Sequence, residues 1–534
     1  MATSDTADAA DAADAQYLRS MTAMLRHWAT VQPEAPMLTL DSETITWGGF
    51  YRRAVEVAGA LCASGVAAGD RVAYLDRNGI EYFEVLFGSA LLGAVAVAVN
   101  WRLSPIEMAA IVHDAGAVVL VYGPDYEQAV TVIRERASCV RRTVPLTEFP
   151  GWRDAARPAV DPGFEPGPDD VILQMYTSGT TGLPKGVMTS GRNIATILGG
   201  AVEKYRVGPD TVSMVAMPLF HIGGTGWALA GMSRGGHSVI VRDIEPARVL
   251  RNIEQHAVTS AFVVPAVLMM LLAAPELSST ELGSLRTIFY GASPISEDVL
   301  VRSIEALGCD FAQVYGSTET TGAITVLPPE DHDPAGPRAH LLRSAGVPLS
   351  YVELRIVDPA TGGTLPAGVV GEVTTRSDQT MLGYWNQPEE TASVLSGDGW
   401  YRTGDAGWLS EDGHLFLHDR IKDMIVTGGE NVYPAEVENV LAAHPGVVDA
   451  AVIGVPDDRW GETVKAIVVR APGADGDDAG LCADIVDHVR RHLAHYKCPT
   501  SIDFVEALPR NPSGKVLKRE LRSPYWEGRE RNIG

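Results

Sequence analysis

The sequence predicts an α/β protein. A large N-terminal region is built of layered α/β subdomains and a β-rich subdomain, and a small α+β domain follows at the C-terminus. Three observations carry this expectation. From about residue 46 to residue 314, short β-branched apolar runs alternate with longer helix-period segments, the rhythm of strands joined through crossover helices. Between residues 352 and 375 the rhythm changes to short extended runs broken by Gly and Pro. Beyond a polar boundary at 419–423 about 110 residues remain, enough for a separate small domain. With 534 residues, the chain is too long for one core.

In chain order, residues 1–16 read as a loose tail rich in Asp and Ala, without the basic flank and apolar core of a secretory signal. Thr46 supplies a hydroxyl to cap a helix that starts there. Strands follow at 70–75, 94–99 and 117–121, separated by helices at 80–92 and 106–114. The apolar run 85–99 contains Gly88, Ser89 and Gly93 and is short for a membrane span, so it reads as a buried helix entering a strand; peripheral membrane contact stays open. Residues 161–170, rich in Pro, Gly and acid, read as a linker. Further strands are expected at 171–176, 212–217, 238–241, 260–264, 287–289 and 311–314. The last domain should hold a helix at 434–443, strands at 448–453 and 464–469, a polar loop at 473–480, a helix at 482–493 and a basic tail.

Composition removes several function classes. The net charge of −24, from 43 basic and 67 acidic residues, argues against nonspecific nucleic-acid binding. The five cysteines are widely spaced, odd in number and without metal-ligand spacing, which suits a reducing, cytoplasmic compartment.

The chemistry concentrates in a few turns. Thr177, Ser178, Gly179, Thr180, Thr181, Gly182, Leu183, Pro184, Lys185 and Gly186 follow an apolar strand with three glycines, four hydroxyls and one lysine. Such a loop can converge backbone N–H groups, hydroxyls and a mobile cation on a polyphosphate. It differs from the common P-loop, because Pro184 precedes the lysine and Gly186 follows it. A surface turn could have the same composition. Gly291, Ala292 and Ser293 follow another strand and would let a flat ring approach the backbone, though an ordinary strand-to-helix turn looks alike. In the run from Tyr315 to Thr321, Tyr315 could stack on a base and Glu319 could hold Mg²⁺; a solvated Glu in a Ser/Thr turn is the alternative. Asp405, after Tyr401-Arg402-Thr403-Gly404, has acceptor capacity for two ribose hydroxyls, or simply closes a capped turn. Arg420 lies fifteen residues on, within reach of ribose or phosphate. Lys515, between Gly514 and Val516, could swing to stabilise negative charge, but alone reads as part of a basic tail. His221, beside apolar residues and Gly223-Gly224, gates a pocket or sits in the core.

Taken jointly, these pieces resemble the adenylate-forming acyl-CoA synthetases, relatives of luciferase and of peptide-synthetase adenylation domains. The resemblance runs from about Met24 to Leu521 and rests on Thr177 to Gly186, Tyr315 to Glu319, Tyr401 to Asp405, Asp419 to Asp423 and Pro512 to Lys515. It implies an N-terminal adenylation domain, 1–420, and a mobile C-terminal domain, 421–534. It implies two half-reactions: ATP and an acid give acyl-AMP and pyrophosphate, then a coenzyme A thiol displaces AMP. By position, Thr177 to Lys185 would bind triphosphate, while Gly291 to Ser293 and Tyr315 would surround adenine. Thr318 would contact phosphate, Glu319 would coordinate Mg²⁺, and Asp405 and Arg420 would hold ribose. Lys422 falls at the hinge, and Lys515 would bridge carboxylate and α-phosphate. Gly428-Gly429-Glu430 would border the thiol path, and His221 would be the gate of the acyl tunnel.

The acid pocket is expected among His221, Gly223, Gly224, Thr225, Trp227, Val264, Gly291, Gly316, Ser317 and Thr321, mostly small or apolar, with no Lys or Arg standing out for a second carboxylate. A medium- or long-chain fatty acid is the first expectation, and an aryl or steroid side-chain acid the second. A ligase that loads acyl groups onto a carrier protein, and a nucleotide-binding regulator without turnover, are the competing readings. Homo-oligomerisation stays open.

Overall fold

The computed structural model describes residues 16–177, 184–293, 295–420, 423–427, 430–457, 459–471, 478–510 and 516–527. The chain divides into two compact units, one of residues 1–353 and 376–401, the other of 354–375 and 402–534.

The first unit holds two sheets. In the six-stranded sheet the order is Arg142–Pro145, Ala117–Tyr122, Arg71–Leu75, Val95–Ala98, Val171–Thr177, Lys185–Ser190. All neighbours are parallel except the last pair, an antiparallel hairpin. Both faces of such a sheet are covered, so its strands are continuously apolar: Ala117–Tyr122 is buried at every position. The nine-stranded sheet runs Val347–Pro348, Gly322–Leu327, Asp310–Ser317, Thr287–Gly291, Ser260–Val263, Val212–Val215, His237–Ile240, Pro36–Leu40, Glu43–Thr46. Its six middle strands, from Asp310–Ser317 to Pro36–Leu40, are mutually parallel.

Helix Ile80–Leu92 spans the residues expected and is buried on nearly all sides, because it packs on strands of both sheets. The charge it carries inward, Glu84, is matched by Arg153 at 2.9 Å and Arg53 at 3.2 Å, as a buried carboxylate requires. Thr46 caps helix Trp47–Ala63 by accepting from the Gly49 N–H. The expected linker at 161–170 is irregular but anchored. Asp161 pairs with Arg26 at 2.7 Å and accepts from the Tyr51 hydroxyl at 2.7 Å, and these partners, outweighing its burial, hold its carboxyl down at about 2. Asp161 is thus a structural acid within this stretch.

The second unit contains the four-stranded sheet Glu353–Val357, Gly371–Arg376, Tyr401–Leu409, Leu415–Arg420, whose first and third strands begin at the unit boundary. It also contains a sheet in which Gly461–Arg470 pairs with Val447–Asp457, Ile425–Thr427 and Ser501–Val505. Helices Pro434–Ala442 and Asp478–His492 cover it through Val437, Leu441, Ile485 and Val489. Of the expected polar loop, 473–477 lies outside the described residues, and 478–480 forms the first turn of the helix. Among the described residues no helix is long and apolar enough to cross a membrane.

Candidate functional site

Four adjacent parallel strands of the nine-stranded sheet end at one edge: Asp310–Ser317, Thr287–Gly291, Ser260–Val263 and Val212–Val215. Their carboxyl ends, where open α/β sheets bind ligands, carry much of what the sequence singled out. Tyr315, Gly316 and Ser317 close the first strand. Gly291 closes the second, and Ala292 and Ser293 follow it. Val264 follows the third; His221 and Gly223 lie shortly after the fourth.

Two of these glycines are required by backbone approach. A Cβ at Gly291 would sit 2.2 Å from the Val314 carbonyl oxygen, and one at Gly316 would sit 2.0 Å from that of Gly322. The strand end then turns tightly. Thr320 Oγ1 accepts from the Ser317 N–H at 2.9 Å and donates to the Gly322 carbonyl at 2.7 Å, and the Thr318 carbonyl accepts from the Thr321 N–H at 3.0 Å. This turn presents Glu319. The buried Ser317 Oγ and Thr321 Oγ1 have no protein partner among the described residues, leaving two hydroxyls for a ligand.

The described ends of the phosphate-loop candidate, Thr177 and Lys185, belong to the hairpin in the six-stranded sheet. Thr177 and Lys185 face each other across it; Ser178, Gly179, Thr180, Thr181 and Gly182 fall outside the described residues. Thr177 Oγ1 reaches Glu319 Oε1 at 3.5 Å. Lys185 is buried, forms an ion pair with Glu390 and lies 5.0 Å from the centroid of the Tyr384 ring. The Tyr384 hydroxyl donates to Glu319 Oε1 at 3.0 Å. Burial and the Glu319 carboxylate push the Tyr384 phenol well up, so it stays a donor.

Tyr384 belongs to a segment laid along the hairpin edge. The Met188 N–H donates to the Gly383 carbonyl at 3.0 Å, Trp385 N–H to Gly186 at 2.7 Å, and Met381 N–H to Glu319 at 2.8 Å. Sequence reasoning missed Tyr384 and Glu390. The only trace was Gly383-Tyr384-Trp385 ahead of two acids, a pattern that says nothing about its partner until the chain is folded.

The expected acid pocket is corrected in two places. Thr225 is fully buried, with its hydroxyl 2.7 Å from both the Tyr82 hydroxyl and the Leu219 carbonyl. Trp227 gives its indole N–H to Met214 O at 2.9 Å and packs against Tyr205, Phe262 and Phe289. Both belong to the core, because helix Ile222–Met232 is buried at every position except Gly223 in its first turn. His221 stands at the start of that helix. Its Nε2 is buried without a partner among the described residues, and burial, aided by the Arg102 charge, pulls it down to about 4, leaving it neutral at pH 7. Arg102, which lies over the Trp101 ring at 4.7 Å, is a cation near this site that the sequence did not single out.

In the second unit, Asp405 pairs in register with Arg420 across antiparallel strands, beside a bulge. Its N–H donates to Thr403 Oγ1 at 3.0 Å, and Gly404, in the left-handed region at φ 70°, donates its N–H to Glu372 at 3.2 Å. Lys422, Gly428, Gly429 and Lys515 fall outside the described residues. Paired residues flank two of these stretches: Thr427 with Glu430, and Arg510 with Val516.

Among the described residues no cluster of three His, Cys, Asp or Glu could hold a metal by itself. One carboxylate with substrate phosphates is instead the usual Mg²⁺ arrangement, and Glu319 fits it: Tyr384 and Thr177 occupy one of its oxygens.

A family model described as AMP-binding enzyme matches residues 25–385, and one described as AMP-binding enzyme C-terminal domain matches 436–515. The chain is 41% identical over 510 residues to the fatty acid–[acyl-carrier-protein] ligase ScoC of Streptomyces coeruleorubidus, covering 94% of this chain and 96% of that protein. It is 39% identical over 503 residues to a feruloyl-CoA synthase of an Amycolatopsis species, covering 93% and 97%. The solved structure of a Mycobacterium tuberculosis fatty acyl CoA synthetase superposes with a TM-score of 0.77 at 33% identity, over 96% of this chain and 99% of that one.

Proposed function

The chain belongs to the AMP-binding enzyme family of adenylate-forming acyl-CoA synthetases, and from that premise we propose that it activates a medium- or long-chain fatty acid as acyl-AMP and transfers the acyl group to coenzyme A. ATP, Mg²⁺ and coenzyme A are the co-reactants of this family. The observation that carries the site is the convergence of Thr177, Lys185 and Glu319 around Tyr384, although these residues are far apart in sequence. That cluster supplies what an ATP-dependent adenylation needs: a cation for triphosphate, a carboxylate for the metal, and hydroxyls. A carboxylate is a poor acyl donor because oxide would have to leave; as acyl-AMP its leaving group is AMP. Lys185 would neutralise charge on the triphosphate, and Thr318 would donate to it. Gly291, Ala292, Ser293 and Tyr315 would form the adenine shelf, and Asp405 and Arg420 would bind the ribose. Lys515 would offset charge developing at the carboxylate and α-phosphate. Bound Mg²⁺ would add further charge neutralisation. A C-terminal domain beginning near residue 421 would turn between the half-reactions and bring Gly428 and Gly429 to the thiol path.

The acid is read as hydrophobic because the strand ends offer Gly223, Val264, Gly291 and Gly316, and His221 is neutral. A carrier-protein thiol as acceptor is the second reading, favoured by the 41% identity to a fatty acid–[acyl-carrier-protein] ligase; an aryl acid finds support in the feruloyl-CoA synthase. One experiment tests all of these. The purified protein is given ATP, Mg²⁺ and a panel of fatty, aryl and steroid side-chain acids, with either coenzyme A or a phosphopantetheinylated carrier protein, and products are read by mass. Fatty acyl-CoA is the expected product. Acyl-carrier protein without acyl-CoA would move the acceptor, aryl-CoA would move the substrate, and no acyl-AMP with any acid would overturn the reading.

A further inference from the structure

The cation expected to meet the triphosphate already has a partner. Lys185 is only 8% exposed, and its ammonium is paired with the Glu390 carboxylate, whose side chain is 37% exposed. The Tyr384 ring lies beside the ammonium, 5.0 Å from Nζ to the centroid. The backbone that carries these side chains is anchored. Helix Pro388–Val394 carries Glu390, and within it Thr391 Oγ1 accepts from the Tyr384 N–H at 2.9 Å. Residues 382–385 are bonded to the hairpin at Gly186 and Met188, one and three positions beyond Lys185. The carboxylate therefore occupies an anion-binding position at the lysine, and it is the more solvent-exposed member of the pair.

We infer that Glu390 is a resident counter-ion that a nucleotide phosphate must displace from Lys185, so that this pair sets the affinity of the site for triphosphate and pyrophosphate. The inference deepens the adenylation reading and rests on it. A buried ammonium without a partner would be costly, so Glu390 stabilises the empty site. An arriving phosphate would compete with Glu390 for the Lys185 ammonium, and the two anions, brought to one cation, would repel each other. Glu390 is thereby a positioning residue that acts through Lys185. Tyr384 serves both sides of the exchange, since its ring faces Lys185 while its hydroxyl holds Glu319.

The test is calorimetric titration of magnesium pyrophosphate into the full-length protein and its variants. Glu390→Gln keeps the volume and removes the competing charge. It should bind pyrophosphate about three- to tenfold more tightly than the wild type, the scale of a partly exposed ion pair, and lower the KM for ATP in acid-dependent pyrophosphate release. In a Lys185→Met background the same substitution should change nothing. Glu390→Asp, whose carboxylate is one methylene shorter, should give an intermediate gain and guards against a folding artefact in the first variant. Equal or weaker pyrophosphate binding by Glu390→Gln, at an unchanged melting temperature, would overturn the inference. So would an undiminished gain in the Lys185→Met background. Failure of the wild type to bind either magnesium pyrophosphate or ATP would overturn the nucleotide reading itself, a result distinct from both.

Discussion

Gly316→Ala places one methyl group where the backbone leaves no room. The new Cβ would lie 2.0 Å from the Gly322 carbonyl oxygen and 2.7 Å from both the Gly322 carbonyl carbon and Ala323 Cα, whereas real Cβ contacts stay beyond 3.0 Å. None of these atoms is the end of a flexible side chain, so the bulge between Tyr315 and Gly316 must open by roughly 1 Å. Overpacking of this kind costs about 1–3 kcal/mol. The 2.7 Å hydrogen bond from Thr320 to the Gly322 carbonyl is strained or lost as well, for about 0.5–1.5 kcal/mol more. Together these should lower the melting temperature of the large first unit by about 2–6 °C. The functional loss should be larger in proportion. The displaced turn carries Glu319, and an error of 1 Å in a reacting geometry costs about 100-fold. The assay pairs differential scanning fluorimetry with acid-dependent pyrophosphate release. Gly308→Ala is the control: its φ is +61° and no atom lies within 4 Å of the added Cβ, so it loses roughly 1–2 kcal/mol to backbone strain far from the turn. If Gly316→Ala keeps activity within twofold of Gly308→Ala, the backbone-contact argument is wrong.

Three other outcomes are expected. Lys515→Ala should slow acyl-AMP formation by 10²-fold or more on the scale of losing one charge-stabilising donor, while thioester formation from supplied acyl-AMP is nearly untouched; equal losses in the two half-reactions would contradict the assignment. Glu319→Ala should raise the Mg²⁺ concentration for half-maximal adenylation by roughly 10-fold or more, and an unchanged magnesium titration would remove Glu319 from the metal site. Lys204 is fully buried beside Gln379, at 3.1 Å, and burial lowers its pKa from 10.5 to about 7. Between these values the unfolded chain holds a proton that the folded chain has released. Stability should therefore rise with pH from about 7 toward 10.5, by at most about 1.4 kcal/mol per pH unit. Lys204→Met should flatten that rise in denaturant titrations, and a slope identical to the wild type would show that the lysine is charged when folded.

Local rules were legible along the chain. The helix at 80–92 could be read from its largely apolar composition, and the cap at Thr46 from one hydroxyl ahead of a helical stretch. Thr177, Lys185 and Glu319 were singled out because glycine, hydroxyl and charge cluster after strands. What failed were inferences that needed a distant partner. Asp161 read only as one acid of a linker, and nothing near it in the chain marked Arg26 and Tyr51, more than a hundred residues away, as its partners. Trp227 and Thr225 were expected among the small or apolar residues of the pocket, yet both are buried in the core by the helix that holds them. Tyr384 and Glu390 carried no usable sequence signal, since their meaning is the company of Lys185 and Glu319.

By itself the sequence determined the alternation of strands and helices over much of the chain and the turns that hold hydroxyls and glycines, because each depends on residues close in the chain; the class of chemistry came from the family resemblance that those turns carry jointly. Only the tertiary structure decided which strand ends share an edge, which cation is already paired, and which polar groups are core rather than site. Those outcomes depend on parallel pairing between segments tens to hundreds of residues apart, and on burial, neither of which a local pattern encodes.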